Sequence, residues 1–297
     1  MMAGLQKETG ERKNNFPLYG IIGLLIIGVG ELFLFFRFWL VPFFITPIAW
    51  SGYILFVDAL NYKVRGESLI RNRSKEFFLM LPWSVVCWLV FELYNLHMRN
   101  WIYVGLPQNL VVRSLGYVWS FATIFPAILE TSDLLQVVFQ KVRIKPRKIS
   151  RATLFIHMVF GLLCLTVPML FPHSTAKYLI PFVWIGFALF LEPINYFLGG
   201  RSLFRYFENG ELKQLFSLML SGLVCGGLWE FWNYWAEARW VYDVPFSWSG
   251  PKVFEMPLAG FLGFIPFAVE CHAMQNYLLA VLNWRKLSPD HLVPEQL

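Results

Sequence analysis

Acidic residues inside long apolar segments are the residues of this sequence best placed to do chemistry. An ionised side chain in a membrane helix costs at least about 2.5–3.5 kcal/mol on insertion scales, and no lysine or arginine lies deep in the same segments to offset it. Proton transfer is one interpretation of these acids, and polar cross-links between helices are the other. The acids are Glu31, Asp58, Glu92, Glu130, Glu192, Glu230 and Glu270.

An asparagine follows four of these acids at a spacing of three residues. This spacing places both side chains on one face of a helix. A carboxamide can donate to a carboxylate or accept from a protonated acid. The spacing therefore predicts that each asparagine binds its acid and lowers the cost of burying it. The pairs are Asp58/Asn61, Glu92/Asn95, Glu192/Asn195 and Glu230/Asn233.

Depth in the membrane divides the acids further. Asp58 and Glu192 come at the ends of their segments, where a carboxylate is expected to cap a helix or clamp a loop. Glu130 and Glu270 fall near the middle of the membrane, each four residues after a proline. A proline kink frees backbone carbonyls beside these two acids.

Aromatic residues make up 19% of the chain and are densest over 229–235, followed by Trp240 and Tyr242. One interpretation is an aromatic belt at the membrane interface. The other is a pocket around an acid, because aromatic faces stabilise a cation by about 2 kcal/mol or more when dry. A glutamic acid kept neutral in such a pocket suits protonation of an alkene in a lipid.

Composition and segment length predict an all-α integral membrane protein. Hydrophobic residues are 57% of the 297 residues and charged residues 15%, whereas soluble domains average roughly 45–50% and 25%. Eight apolar segments are long enough to cross about 30 Å of hydrocarbon. They lie at 16–36, 38–60, 77–96, 117–138, 152–171, 178–198, 215–235 and 254–282.

The positions of the basic residues, cysteines and histidines argue against a nucleic-acid-binding protein and against a metalloprotein. The formal charge of +6 comes from bases confined to loops, so no nucleic acid partner is expected. The four cysteines form no CxxC pair and the five histidines form no ligand motif, so we expect no metal and no cofactor.

The loops predict an orientation. Nineteen of the 25 lysines and arginines fall in the two tails and in alternate loops on one side of the eight segments. Because cytoplasmic loops carry the excess of basic residues, both termini are expected in the cytoplasm, with the chain in a bacterial inner membrane.

Two parts of the chain match each other in order. Residues 50–62 read against 184–196 and residues 92–95 against 230–233, and the offset drifts only from 134 to 140. This order predicts two parallel four-helix repeats related by an axis along the membrane normal. The predicted organisation is a tail at 1–15, a first repeat at 16–138, a basic linker at 139–151, a second repeat at 152–282 and a tail at 283–297.

The second half also contains, in order, an asparagine, an Arg-aromatic-x-Tyr segment and a helix with a proline and an acid. These residues are Asn233, Arg239, Trp240, Tyr242, Pro266 and Glu270. In this order they resemble the lycopene cyclase domain of carotenoid synthesis, although Pro266 is followed by Phe-Ala-Val rather than by paired acids. The resemblance covers the last two helices of each half and implies non-redox chemistry that starts with protonation of a polyene.

The leading hypothesis is an intramembrane enzyme that modifies an isoprenoid- or carotenoid-like lipid by non-redox acid catalysis. The residues expected to take part in catalysis are Glu230, Glu270, Asn233, Glu92, Asn95 and Glu130. Those expected to wall the substrate pocket are Trp232, Trp235, Trp240 and Tyr242. The alternatives are a proton- or cation-coupled transporter and a non-catalytic assembly subunit. The expected partners are membrane lipid and a hydrophobic small molecule, and no particular protein partner is implied.

Overall fold

Long apolar helices dominate the molecule. The computed structural model describes residues 15–243 and 251–282. Within these residues, eight helical segments are long and apolar enough to cross a membrane, at the positions predicted from the sequence. The chain is therefore an all-α, multi-pass integral membrane protein. Residues 1–14 and 283–297, which make up nearly all of the two predicted tails, lie outside the described residues.

The elements follow one another in a simple order. In the described residues the helices are α1 (Leu18–Phe35), α2 (Val41–Arg65), α3 (Leu69–Asn72), α4 (Ser74–Met98), α5 (Leu110–Ala122), α6 (Ile124–Leu135), α7 (Arg151–Leu170), α8 (His173–Ala176), α9 (Ile180–Phe197), α10 (Leu203–Glu208), α11 (Lys213–Trp235) and α12 (Phe264–Val281). Short 3-10 helices cover Lys177–Leu179 and Leu258–Gly263. The strands are β1 (Trp101–Val104), which pairs with β2 (Arg239–Tyr242), and β3 (Lys252–Val253), which pairs with β4 (Met256–Pro257).

Several boundaries differ from the predicted ones by a few residues, and three of them have a clear local cause. Helix α2 continues to Arg65 and ends at Gly66, whose positive φ of 81° suits a residue without Cβ. The fourth span begins at Leu110 rather than at residue 117, because the Asn109 side chain accepts hydrogen bonds from two backbone N–H groups of its first turn. The last predicted helix, from residue 254, starts instead as the turn of β3 and β4 and a 3-10 helix, and α12 begins at Phe264.

Close pairing of small residues fixes the outer helices to the rest. Helix α1 packs on α2, and α7 packs on α9. At the first contact Gly23 faces Gly52, and at the second Gly161 faces Gly186, so that a Cβ at Gly23, Gly52 or Gly161 would overlap the backbone of the partner helix. Such small-residue contacts let membrane helices approach closely.

The β1–β2 ladder joins the two halves of the chain. Its pairs are Trp101 with Tyr242 and Tyr103 with Trp240, in antiparallel register. A two-fold rotation that exchanges β1 with β2 leaves these residue pairs unchanged. This is the symmetry that the matches between the two halves of the sequence predict. The superposition of residues 16–138 on 152–282 stays a prediction.

Candidate functional site

An aromatic cavity of about 540 Å³ lies at the end of the helices that is opposite the basic loops. Its walls come from α2, α4, α5, α9, α11 and α12 and from the ladder of β1 and β2. The volume lies in the range of small-molecule sites, roughly 300–1,000 Å³. The indole and phenol rings on its wall are those of Trp88, Trp101, Tyr103, Tyr117, Trp184, Trp229, Trp240 and Tyr242.

The ladder presents its aromatic residues to this cavity by alternation. Successive side chains of a strand point to opposite faces, so Trp101 and Tyr103 share one face of β1. Trp240 and Tyr242 share the same face of β2, and all four line the cavity. Ile102 lies between them on the other face and is 54% exposed.

Glu230 is fully buried behind the ladder. The Tyr242 hydroxyl donates to its Oε1 at 2.6 Å, and Trp240 Nε1 donates to the Tyr242 oxygen at 2.8 Å. The second carboxylate oxygen, Oε2, has no hydrogen-bond partner among the described residues. Glu230 therefore reaches the cavity only through the phenol of Tyr242.

Glu92 occupies the corresponding place in the first half and is half-buried. Its Oε1 accepts hydrogen bonds from Tyr103 at 2.6 Å, from Trp88 at 2.9 Å and from Trp101 at 3.1 Å. Three donors on one oxygen stabilise the negative charge of a carboxylate.

The two tyrosines keep their protons at neutral pH. Burial first, and then the neighbouring Glu92 carboxylate, raise the pKa of the Tyr103 phenol well above its usual value. Burial and the Glu230 carboxylate have the same effect on the pKa of Tyr242. Both phenols therefore act as hydrogen-bond donors on the wall of the cavity.

The asparagines do not bind the acids that precede them by three residues, so this part of the prediction is wrong. Asn95 and Asn233 each donate to a backbone carbonyl of the ladder, Trp101 and Trp240 respectively, at 2.9 Å. Their side-chain oxygens accept from backbone N–H groups of the same strands. Adjacent strand backbone offers these amides a donor and an acceptor together, which a carboxylate cannot.

The two other asparagines behave likewise. Asn61 donates to Glu130 Oε2 at 2.7 Å and to the Glu130 carbonyl at 2.9 Å, while Asn195 donates to the carbonyl of Ala273 at 2.9 Å. Each thus ties one helix to a neighbour, α2 to α6 and α9 to α12.

Asp58 and Glu192 clamp the short helices that follow them, as their positions predicted. Asp58 accepts from the backbone N–H of Ile70 at 2.7 Å and from the Tyr19 hydroxyl at 2.5 Å. Glu192 accepts from the backbone N–H of Leu203 at 2.6 Å.

Glu130 and Glu270 are fully buried but do not line the aromatic cavity. Glu270 accepts from the backbone N–H of Phe187 at 3.0 Å, which ties α12 to α9. In the described residues no hydrogen bond joins Glu270 to Glu230, so the structure does not bring these two expected partners together.

The expected wall residues divide in the same way. Trp240 and Tyr242 line the cavity, whereas Trp232 and Trp235 do not. Trp232 packs edge-on against Trp50 and donates to Glu31 at 3.1 Å, and Trp235 is 56% exposed on the outer surface.

A second, polar cavity of about 190 Å³ lies at the basic end. Arg73 and Arg201 pair there with Glu76, and Arg65 and Arg73 pair with Asp133. Further polar side chains of this wall are His272, Gln275 and Asn276.

Comparison with known proteins identifies no relative. No family model, no curated protein and no solved structure matches this chain. The described residues contain no group of three or more His, Cys, Asp or Glu side chains that could hold a metal ion. The chemistry of the site must therefore be argued from its own geometry.

Sequence reasoning missed several residues of the cavity. Tyr103 was within reach, because the repeat aligns it with Tyr242. Trp88 and Trp184 gave no signal, since each is one aromatic residue among many in a membrane segment. Arg113, which also lines the cavity, counted only as a loop charge, and Arg239 was part of the resemblance but was not expected in the site.

Proposed function

We propose that this protein is an intramembrane enzyme that acts on an isoprenoid- or carotenoid-like lipid by acid–base chemistry without a redox cofactor. One observation carries the proposal: an aromatic cavity of about 540 Å³ has on its wall two tyrosines, each bound at 2.6 Å to a carboxylate behind it. The resemblance of the second half to the lycopene cyclase domain points to the same class of chemistry.

Glu230 and Tyr242 form the proton-donating side of the proposed site. When Glu230 is protonated, its O–H donates to the Tyr242 oxygen and the Tyr242 O–H turns to the cavity. The Tyr242 proton then forms a C–H bond with one alkene carbon as the π bond breaks, and Tyr242 takes the proton of Glu230. Indole faces stabilise the carbocation left on the other carbon, and Trp229 and Trp240 offer such faces on this side of the cavity.

Glu92 and Tyr103 form the proton-accepting side. Three side-chain donors hold the Glu92 carboxyl group in place behind the Tyr103 phenol. The Tyr103 oxygen takes a proton from the carbon next to the cation as its own proton passes to Glu92, and the C–H electrons form the new double bond. The overall change is an isomerisation or cyclisation, which consumes no electron carrier. Glu130 and Glu270 hold helices together in this proposal.

Lipid extraction tests this proposed function. Extracts from cells that express the wild-type chain, Glu230→Gln or Glu237→Gln are compared by mass spectrometry and by absorption. Glu237 is an exposed acid at the same end of the molecule and serves as the control. A product present with wild type and Glu237→Gln but absent with Glu230→Gln supports the enzyme. An unchanged lipid and pigment profile in all three overturns it.

Proton-coupled transport is the second candidate. The observation in its favour is that a cavity lies at each end of the molecule, aromatic at one end and polar at the other. Asp133 on the wall of the polar cavity follows the buried Glu130 by three residues. Solute flux into liposomes that depends on a pH gradient and is lost in Glu130→Gln would favour a transporter over an enzyme.

The positive-inside rule supports an orientation with both termini in the cytoplasm of a bacterial cell. Reporter tags at both termini and in the loop 140–150 are then expected to report cytoplasmic, and a tag near Gln108 the opposite side. A single reversed loop would contradict the eight-span topology.

A further inference from the structure

Two arginines on the wall of the aromatic cavity have no acidic partner among the described residues. Arg113 donates through Nε to the Pro107 carbonyl at 2.9 Å, and Arg239 donates through Nη1 to the Tyr234 carbonyl at 3.5 Å. Arg239 Nε is buried without a hydrogen-bond partner. Within residues 15–243 and 251–282 neither guanidinium forms a salt bridge.

The acids nearest to Arg239 along the chain, Glu237, Asp243 and Glu255, do not line the cavity and form no salt bridge with either arginine among the described residues. Residues 244–250, which lie outside the described residues, read Val-Pro-Phe-Ser-Trp-Ser-Gly. The carboxylates nearest in the site, Glu92 and Glu230, stand behind Tyr103 and Tyr242 and do not line the cavity. The cavity wall therefore presents two positive charges and no negative one to whatever occupies it.

Guanidinium groups on an otherwise apolar cavity wall are suited to bind an anion that does not belong to the chain itself. Both arginines are half-buried, and an anion that binds beside such a guanidinium group forms charge-assisted hydrogen bonds with it. The planar fork of arginine matches phosphate better than any other side chain does. The arginines also stand at one end of the spans, which is the depth of lipid head groups.

We propose that the aromatic cavity binds a lipid whose head group carries a phosphate, with Arg113 and Arg239 on the phosphate and the chain between the rings. The inference rests on the proposed function only in taking the occupant to be a lipid. It narrows the substrate class to phosphate-bearing amphiphiles. Free phosphate would satisfy the same arginines, but it would leave the aromatic cavity of about 540 Å³ without an apolar occupant.

Binding of short-chain lipids to the purified protein in uncharged detergent tests this inference. The probes are dioctanoyl phosphatidic acid, dioctanoylglycerol with the same chains but no phosphate, and inorganic phosphate. A ligand that binds only the folded protein raises its thermal midpoint. Phosphatidic acid is expected to raise the midpoint with saturation, and the two other probes are expected to leave it unchanged at the same concentration.

Arginine variants locate the site. Arg113→Gln and Arg239→Gln are each expected to weaken the binding of phosphatidic acid about 10-fold or more, the loss typical of one charged hydrogen bond. Arg239→Lys, which keeps the charge, should recover part of the affinity. Arg37→Gln is the control, because Arg37 lies at the same end of the spans, is 81% exposed at its side chain and pairs with Glu237.

Three results would overturn the inference: equal binding of dioctanoylglycerol, binding of free phosphate as tight as that of the lipid, or an equal loss in Arg37→Gln. The outcome is separate from the test of the enzyme, because Glu230→Gln keeps both arginines and should bind phosphatidic acid like wild type. If no product is found but phosphatidic acid still binds and the arginine variants still weaken that binding, the phosphate site is supported and only the proposed reaction is contradicted.

Discussion

The carboxylates Glu92 and Glu230 stand in clusters that are built alike but differ in their hydrogen bonds. In each cluster a ladder tyrosine donates to Oε1 at 2.6 Å, and an asparagine ties the ladder to the helix that carries the acid. Glu92 receives two indole donors in addition, whereas the one indole beside Glu230, that of Trp240, also donates to the Tyr242 oxygen, and Oε2 of Glu230 has no hydrogen-bond partner among the described residues. Glu230 is nevertheless the more deeply buried of the two.

The residue four positions before each acid explains part of the difference. That residue is Trp88 in the first cluster, where its indole donates to Glu92, and Gly226 in the second. A Cβ at Gly226 would overlap the ring of Phe264, so this turn of α11 has no room for an indole. The packing of α12 against α11 thus removes a donor from Glu230. The same fold therefore surrounds the Glu92 carboxylate with three side-chain donors and leaves Glu230 with fewer.

The largest expected effect comes from changing the acids themselves. Glu230→Gln is expected to reduce turnover of the lipid about 100-fold or more, which is typical for loss of a general acid. Glu92→Gln should reduce turnover by a similar factor, because Gln still accepts hydrogen bonds from the three donors but cannot take the proton of Tyr103. Turnover is measured in detergent. Thermal unfolding is measured alongside it, and its midpoint should be the same in both variants as in the wild type. Full activity of folded Glu230→Gln would remove Glu230 from the mechanism.

A smaller effect is expected where the two helices touch. Gly226→Ala should lower the free energy of unfolding by about 2–3 kcal/mol, because the added methyl group must displace a packed ring. Gly227→Ala is the matched control, since a Cβ there meets nothing within 4 Å. Denaturation in mixed detergent micelles would measure both. Equal stability of the two variants would mean that Phe264 does not exclude a side chain from this position.

The smallest expected effect separates the two tyrosines. Tyr242→Phe removes the hydroxyl donor of Glu230 and should cost about 1–2 kcal/mol of unfolding free energy, whereas Tyr103→Phe leaves two indoles on Glu92 and should cost less than about 1 kcal/mol. The same denaturation experiment gives both values. A larger loss for Tyr103→Phe would show that the extra donors do not compensate.

The spans could be predicted from the sequence because lipid acts as the solvent for the outer faces. In a bilayer each apolar segment must form its own backbone hydrogen bonds, so hydropathy and length locate the helices directly. Residues 254–257 were wrongly included in the last span, because their hydropathy resembles that of a span although they form the turn and second strand of the β3–β4 pair, and residues 258–263 belong to the span as a 3-10 helix.

The site was predictable only where it repeats. Glu230 and Tyr242 were found through the matches between the two halves, and Tyr103 follows from the same alignment. The partners of Asn95 and Asn233 were not, because they are backbone groups that the loops bring back to the helix. Nor could the sequence show that Arg113 and Arg239 share one cavity, since tertiary packing alone brings them to it.

The cavity cannot form until β2 has been synthesised, because β1 pairs with β2 on its wall. As the chain is synthesised from its N-terminus, β1 emerges well before β2, and until residue 239 has been made the N–H and C=O groups of residues 101–104 lack their partners. The wall that carries Tyr103 is therefore incomplete on any nascent chain. The cavity wall also needs Phe264 and Phe267 of α12, so no occupant can enter a complete cavity until the last span has been made.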